Sequence, residues 1–298
     1  MNHHKRPLLA VHGGAGNVPG DASARDVREH ELAVALKAGW DVLSSGGRAL
    51  DAVEQAVASM ERSGCFNAGR GADPDASGAV TLDAAIMDGA TRAAGAVGDV
   101  AKLASAIAAA RLVMDRTQHV LLVGPAADAF ALAAGAAPAP PGYFSHAGHG
   151  ASHETAPGTV GAVALDLAGH LAAATSTGGL SGKLPGRVGD SAIVGGGTWA
   201  DASCAVSATG RGEFFVRTAF AHQVACGVLH LALPLAEAVR RALADVVALA
   251  GSGAAAGGCI AIARDGEIAM PFSTATMYRG VIDADGTPRV ASLPDSSV

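Results

Sequence analysis

Thr159 and Thr177 are the residues whose types and spacing most directly suggest chemistry. They lie near the ends of "GTVGAVALDLAGHLAAATSTGG" (158–179), which reads as two short apolar strands around a turn. If the turn is Leu167, Ala168 and Gly169, with Gly in the left-handed position, Asp166 falls opposite His170. Counting outward, Thr159 falls opposite Thr177. Directly opposed residues hold their Cβ atoms about 4.5–5.5 Å apart, so two hydroxyls meet at the open end of the hairpin. One reading is a cross-strand threonine pair that stabilises a sheet. The other is a nucleophile. Gly158 precedes Thr159 where a long unpatterned segment meets a strand, and glycine admits backbone angles closed to other residues. Cutting the Gly158–Thr159 bond would give Thr159 a free α-amine, ordinarily titrating at about 7.7–8.0. That amine is a base beside the residue's own hydroxyl.

Other candidates are weaker. "GGLSGKL" (178–184) resembles a phosphate loop, but it has three residues between its glycines where that loop has four. Leu184 also stands where a hydroxyl would hold Mg²⁺. His146, His149 and His153 sit in a Pro/Gly segment without nearby cysteines, a poor metal pattern. Cys65, Cys204, Cys226 and Cys259 form no C-x-x-C pair, and none is framed by an electropositive helix start. They read as reduced, small apolar side chains. With no apolar signal segment at the start, they point to a cytoplasmic protein.

The 298 residues are 50% hydrophobic and only 4% aromatic, so a sizeable core is built from Ala, Val and Leu. A net charge of −6 with no basic stripe argues against nucleic acid. The most apolar stretch, 220–239, carries two His, a Gln, a Pro and a Glu, which argues against a membrane span.

The elements that must position the threonines follow from period and punctuation. "PLLAVHGGAG" predicts a strand running into a turn at Gly13-Gly14. A helix follows, with Ser23 and Asp26 as its start signal and Gly46-Gly47 as its stop. A second helix ends at Gly64, strands flank Asp88-Gly89, and a third helix covers "KLASAIAAARLVMDR" before the strand "HVLLVG". Residues 136–158 have no period, as in a linker, lid or processing segment. After the hairpin come helices over about 213–231 and 235–250. A last hairpin turns at Asp265-Gly266 as a two-residue loop. Strands and helices in this order predict layers, with helices covering sheets of largely antiparallel pairs.

Taken with "HGGAG" near the start, "FNAGRGA" at 66–72 and "KLPGRVGDS" after the hairpin, the chain closely resembles the plant-type L-asparaginases and isoaspartyl aminopeptidases. These are threonine hydrolases of the N-terminal-nucleophile class, and the resemblance runs from His12 to about Arg279. It implies an α+β protein, a four-layer αββα sandwich. It also implies a precursor that cuts itself between Gly158 and Thr159. Residues 1–158, with linker 136–158, would form an α-subunit portion and residues 159–298 a β-subunit portion of one folded domain. Two precursors would pair as a homodimer, giving α2β2. On this resemblance Thr159 is the nucleophile, Thr177 its supporting hydroxyl, and Thr209 with Gly210 the oxyanion hole. Arg187 and Asp190 clamp the substrate's α-carboxylate and α-amine, and Gly212 and Asn67 lie at the substrate. No catalytic cofactor is implied. A structural sodium ion is, held by backbone carbonyls near Met60, Glu61, Ser63, Phe66, Ala68 and Arg70. Arg70 stands where the family usually has an apolar residue, and Ser273 and Ala275 where it often has Asn and Gly.

The chemistry suits these types. Arg binds a carboxylate bidentately, Asp pairs with an ammonium, and pinning both fixes the substrate carbonyl against the hydroxyl. The implied activity is hydrolysis of L-asparagine and of β-aspartyl dipeptides to release L-aspartate. A glycosylasparaginase-like hydrolase shares the threonine and the clamp, although Leu184-Pro185 fits the plant-type pattern better. Asp190 disfavours a threonine endopeptidase, whose protein substrate has no free ammonium there. A non-maturing, non-catalytic relative is the alternative from another class.

Overall fold

A computed structural model describes residues 6–17, 22–144, 158–251 and 255–294. Its largest sheet is built outward from the hairpin of β5 (Val160–Leu165) and β6 (Leu171–Thr177). The register is the one expected: Leu165 faces Leu171 and Val160 faces Ser176. Gly169 adopts φ 79°, closing the three-residue loop. β1 (Leu8–Gly16) pairs with β5, and β2 (Leu82–Asp88) pairs with β6. β3 (Ala94–Val100), β4 (Leu121–Val123), β11 (Thr276–Ile282) and β12 (Arg289–Ala291) complete the order β12-β11-β1-β5-β6-β2-β3-β4. Among the described strand pairs, only β3–β4 is parallel. The second sheet runs β10-β9-β8-β7, from β7 (Thr198–Ala200), β8 (Cys204–Gly210), β9 (Gly257–Ala263) and β10 (Ile268–Ala269).

Strand parity decides what each face meets. Val160, Ala162 and Ala164 join a core with α1 (Ala22–Ser44), α2 (Ala49–Ser63) and α3 (Ala106–Arg116). Val163, Leu165, Leu171 and Ala173 face the other way, into a core with β8 and β9. That second core continues to α6 (Phe220–Leu231) and α7 (Leu235–Ala250). The central strands therefore carry apolar residues on both faces, as buried strands do.

Several boundaries differ from the sequence reading. β1 does not turn at Gly13-Gly14; it runs on to Gly16 through a bulge between His12 and Gly14, and a side chain on Gly13 would overlap the Phe66 ring. Ser23 does not precede α1 but lies inside its first turn. Asp265-Gly266 is not a two-residue turn. Ala263 pairs with Glu267 across Arg264, Asp265 and Gly266, with Gly266 at φ 94°. The helix expected over 213–231 is two: α5 (Gly212–Thr218) and α6, broken at Ala219 with φ 48°. α4 (Gly124–Ala133) follows β4 directly and is an element beyond those the sequence pattern predicts. No described helix is long and apolar enough to cross a membrane. The histidines at 146, 149 and 153, and most of the linker, lie outside the described residues.

Candidate active site

At the mouth of the hairpin, Thr159 Oγ1 donates to Thr177 Oγ1 at 3.2 Å, and both residues are buried. Thr177 Oγ1 also accepts from the Gly179 backbone N–H at 2.9 Å. Asn67 ties the 66–73 loop to this end of β6. Its Nδ2 donates to Gly179 O at 2.7 Å, its Oδ1 accepts from Asp73 N, and its carbonyl accepts from Gly178 N. Thr209, at the end of β8, approaches from the second sheet. A Cβ built on Gly158 would lie 3.5 Å from Thr209 Oγ1, which puts this hydroxyl beside the Gly158–Thr159 bond.

The loop after β6 carries Arg187 and Asp190. Asp190 is buried, and burial pushes its carboxyl up to about 7 although the Arg187 guanidinium pulls the other way. Its Oδ2 has no hydrogen-bond partner among the described residues, and neither has Thr209 Oγ1. Buried polar atoms ordinarily find partners, so these two unpartnered oxygens are open to a polar ligand. Gly212 packs against both Arg187 and Asp190. A Cβ there would come within 2.5 Å of Asp190 Oδ1 and 3.0 Å of Arg187 Nη2. Any larger residue would push the guanidinium and carboxylate aside.

The sequence reading did not single out the groups that hold this loop. Glu213, the next residue of α5, accepts from Arg187 Nε and Nη2 at 3.1 and 3.0 Å through one oxygen, Oε1. Among the described residues, Nη1 has no hydrogen-bond partner. Asp83 on β2 lies beneath the loop of Arg187 and Asp190, accepting from Gly189 N and Asp99 N at 2.9 Å each. Burial pushes the Asp83 carboxyl up, and the nearby Lys183 ammonium opposes the shift. Lys183 itself is buried, with Nζ donating to Thr81 O at 3.2 Å. The lysine of the phosphate-loop-like stretch thus points inward beneath the site. An Asp inside the apolar run "TLDAAIMDG" was the available signal for Asp83.

The turn expected to hold sodium lies beyond Asn67. Glu61 O and Gly64 O crowd the 3₁₀ turn Gly69–Gly71, each 2.6 Å from a Cβ built on Gly69 or Gly71 respectively, with Phe66 O close by. Arg70 is exposed. Among the described residues, no group of three His, Cys, Asp or Glu side chains could hold a metal. All four cysteines are free; Cys204 and Cys259 are buried, and burial pushes the Cys204 thiol up to about 12. Neither is poised as a nucleophile.

A family model described as Asparaginase matches residues 5–150 and 145–292. The isoaspartyl peptidase of Salmonella typhimurium is 42% identical over 95% of this chain and 97% of its own. That of Escherichia coli is also 42% identical, over 95% of both chains. The isoaspartyl peptidase/L-asparaginase of Xenopus laevis is 41% identical over 74% of this chain and 75% of its own.

Proposed function

The chain belongs to the asparaginase family, and from that premise we propose that it is a self-cleaving threonine amidohydrolase. It hydrolyses the side-chain amide of L-asparagine and the isopeptide bond of β-aspartyl dipeptides, releasing L-aspartate. The observation that carries this reading is the 3.2 Å pair of Thr159 and Thr177 hydroxyls, together with the unpartnered Asp190 Oδ2 and Thr209 Oγ1. The fold is read as the four-layer αββα sandwich of the N-terminal-nucleophile class. Residues 1–158 and 159–298 form two portions of one folded domain, and two precursors associate as a homodimer.

In the precursor, Thr159 Oγ attacks the Gly158 carbonyl. The new ester bond replaces the peptide bond, which frees the α-amine, and water then hydrolyses the ester. In the mature protein that amine takes the hydroxyl proton as Oγ attacks the substrate's side-chain carbonyl. The Thr209 hydroxyl and Gly210 N–H donate to the oxyanion. The amine returns its proton to the departing ammonia or amino acid, and water releases L-aspartate from the acyl ester. Arg187 takes the α-carboxylate, Asp190 takes the α-ammonium, and Gly212 and Asn67 border the substrate. Glu213 grips Arg187 along its Nε edge, leaving Nη1 for a carboxylate.

Purified protein incubated without protease should yield fragments 1–158 and 159–298 by mass spectrometry and release aspartate from both substrates. A chain that stays whole and inert contradicts the proposal.

Sodium at the 60–70 turn is part of this reading. The carbonyls of Met60, Glu61, Ser63, Phe66, Ala68 and Arg70 would bind it as hard oxygen ligands, and the crowding of Glu61 O and Phe66 O around the turn supports the fit. The ion would brace the loop that presents Asn67. Replacing sodium by tetramethylammonium at constant ionic strength should lower Tm by a few degrees; an unchanged Tm argues against the ion.

A further inference from the structure

A file of buried polar side chains crosses both sheets and ends on the backbone of Thr159. His12 on β1 is fully buried, and its Nδ1 donates to Thr159 O at 3.0 Å, since a carbonyl only accepts. Its Nε2 lies 2.8 Å from Ser207 Oγ on β8 and, in a neutral ring, accepts there. With the Ser207 proton so used, Thr175 Oγ1 on β6 donates to Ser207 Oγ at 2.8 Å. Thr198 Oγ1 on β7 lies 2.6 Å from Thr175 Oγ1 and 3.1 Å from Ser191 O, next to Asp190, and shares its one proton between these two acceptors. From Thr175 through Ser207 to His12 the shortest donor contacts run toward Thr159, while Thr175 Oγ1 also lies 3.5 Å from Gly197 O. Burial pushes the His12 imidazole down to about 3, against the pull of its Thr159 bond, so the ring stays neutral at working pH.

The strands are arranged to admit this file. Gly161 sits between His12 on β1 and Thr175 on β6, opposed to each in register. A side chain on Gly161 would collide with Ser207 Oγ and His12 Nε2. An apolar side chain would fill the space without the cost of burying four polar groups. Hydrogen bonds that run in one direction polarise one another in a low-dielectric interior.

We propose that His12, Ser207, Thr175 and Thr198 are positioning residues that hold the Thr159 carbonyl and so aim its hydroxyl and α-amine at the substrate. The inference rests on Thr159 being the nucleophile. Once the Gly158–Thr159 bond is cut, Thr159 loses its tether on the N-terminal side. Its orientation then depends on rotation about Cα–C, which a bond to the carbonyl oxygen restricts. His12 belongs to the 1–158 portion, so this hold spans the two fragments.

The test compares matured Thr175→Val, which keeps shape and loses the hydroxyl, with Thr175→Ser, which keeps the hydroxyl. A misplaced reacting group can cost about a hundredfold. Thr175→Val should lower kcat about tenfold to a hundredfold with KM within about twofold, and Thr175→Ser should stay within about twofold of wild type. Unchanged kcat in the Val variant overturns the proposal. So does a rise in KM at constant kcat, which would place the effect on the clamp. If Thr175→Val does not fold, Thr198→Val and Thr198→Ser read the same contrast one link further out. Independently of turnover, ¹⁵N shifts of the wild-type His12 ring should report protonation on Nδ1 alone. A ring protonated on Nε2 overturns the file and leaves the nucleophile untouched, whereas a wild type that turns over no aspartyl substrate overturns the nucleophile itself.

Discussion

Thr159→Ala should leave the chain at full length, without detectable hydrolysis of asparagine or β-aspartyl dipeptides. In the proposed mechanism the same hydroxyl opens the Gly158 bond and attacks the substrate, so one substitution removes both reactions. No other described side chain replaces it. Thr177 Oγ1 is engaged with Thr159, the Gly179 N–H and Asn67 O. Cys204 and Cys259 are buried within strands of the second sheet. Loss of a nucleophile costs at least about a thousandfold in related acyl-transfer chemistry. Thr159→Ser, which keeps the hydroxyl, should still cleave and retain part of the activity. Denaturing gels and aspartate release read both variants. Equal cleavage of Thr159→Ala and wild type would mean that an outside protease makes the cut.

The hairpin was legible because its information is local. A glycine three residues into a loop fixes the turn, the turn fixes register, and register alone brings Thr159 to Thr177. Strand parity likewise separates Val160 and Ala162, toward the helices, from Gly161 and Val163, toward the second sheet. The His12 file was not legible, since its members come from β1, β6, β7 and β8 and meet only once two sheets face each other. A lone histidine in an apolar strand was its one local sign. The break at Ala219 carries even less signal. An alanine normally extends a helix, yet here it takes φ 48° so that the N–H groups of Ala221 and His222 can reach Gly196 O and Gly195 O. Tertiary hydrogen bonds override propensity at that point. The glycines of "HGGAG" suggest a turn in sequence because the Phe66 ring that demands Gly13 lies on a distant loop.

Asp190→Asn should cost roughly tenfold to a hundredfold in kcat/KM, about 1.5–3 kcal/mol for a lost charged hydrogen bond. The loss should fall on both substrates alike, because the α-ammonium belongs to the aspartyl part they share. Its pH dependence is specific. In the free protein the Asp190 carboxyl sits at about 7, raised by burial, lowered by Arg187, and raised again by Glu213 and Asp83. A protonated Asp190 offers the ammonium no counter-charge, so kcat/KM should fall as pH drops through about 7. The Thr159 amine adds a second ionisation in the same direction. Bound substrate holds Asp190 ionised, so kcat should show the amine alone. Asp190→Asn should therefore reduce the acid limb of kcat/KM from two ionisations to one. Stability moves the opposite way. A carboxyl whose folded pKa lies above its ordinary 3.8 keeps its proton in the folded chain while the unfolded chain releases it. Wild-type stability relative to Asp190→Asn should decline between about pH 4 and pH 7 and then level off. Thermal melts at pH 4 and pH 8, beside steady-state assays on both substrates, read the two effects together. A variant that loses only dipeptide hydrolysis would place Asp190 at the leaving group instead. A wild type whose kcat/KM shows one ionisation would remove Asp190 from the ammonium site.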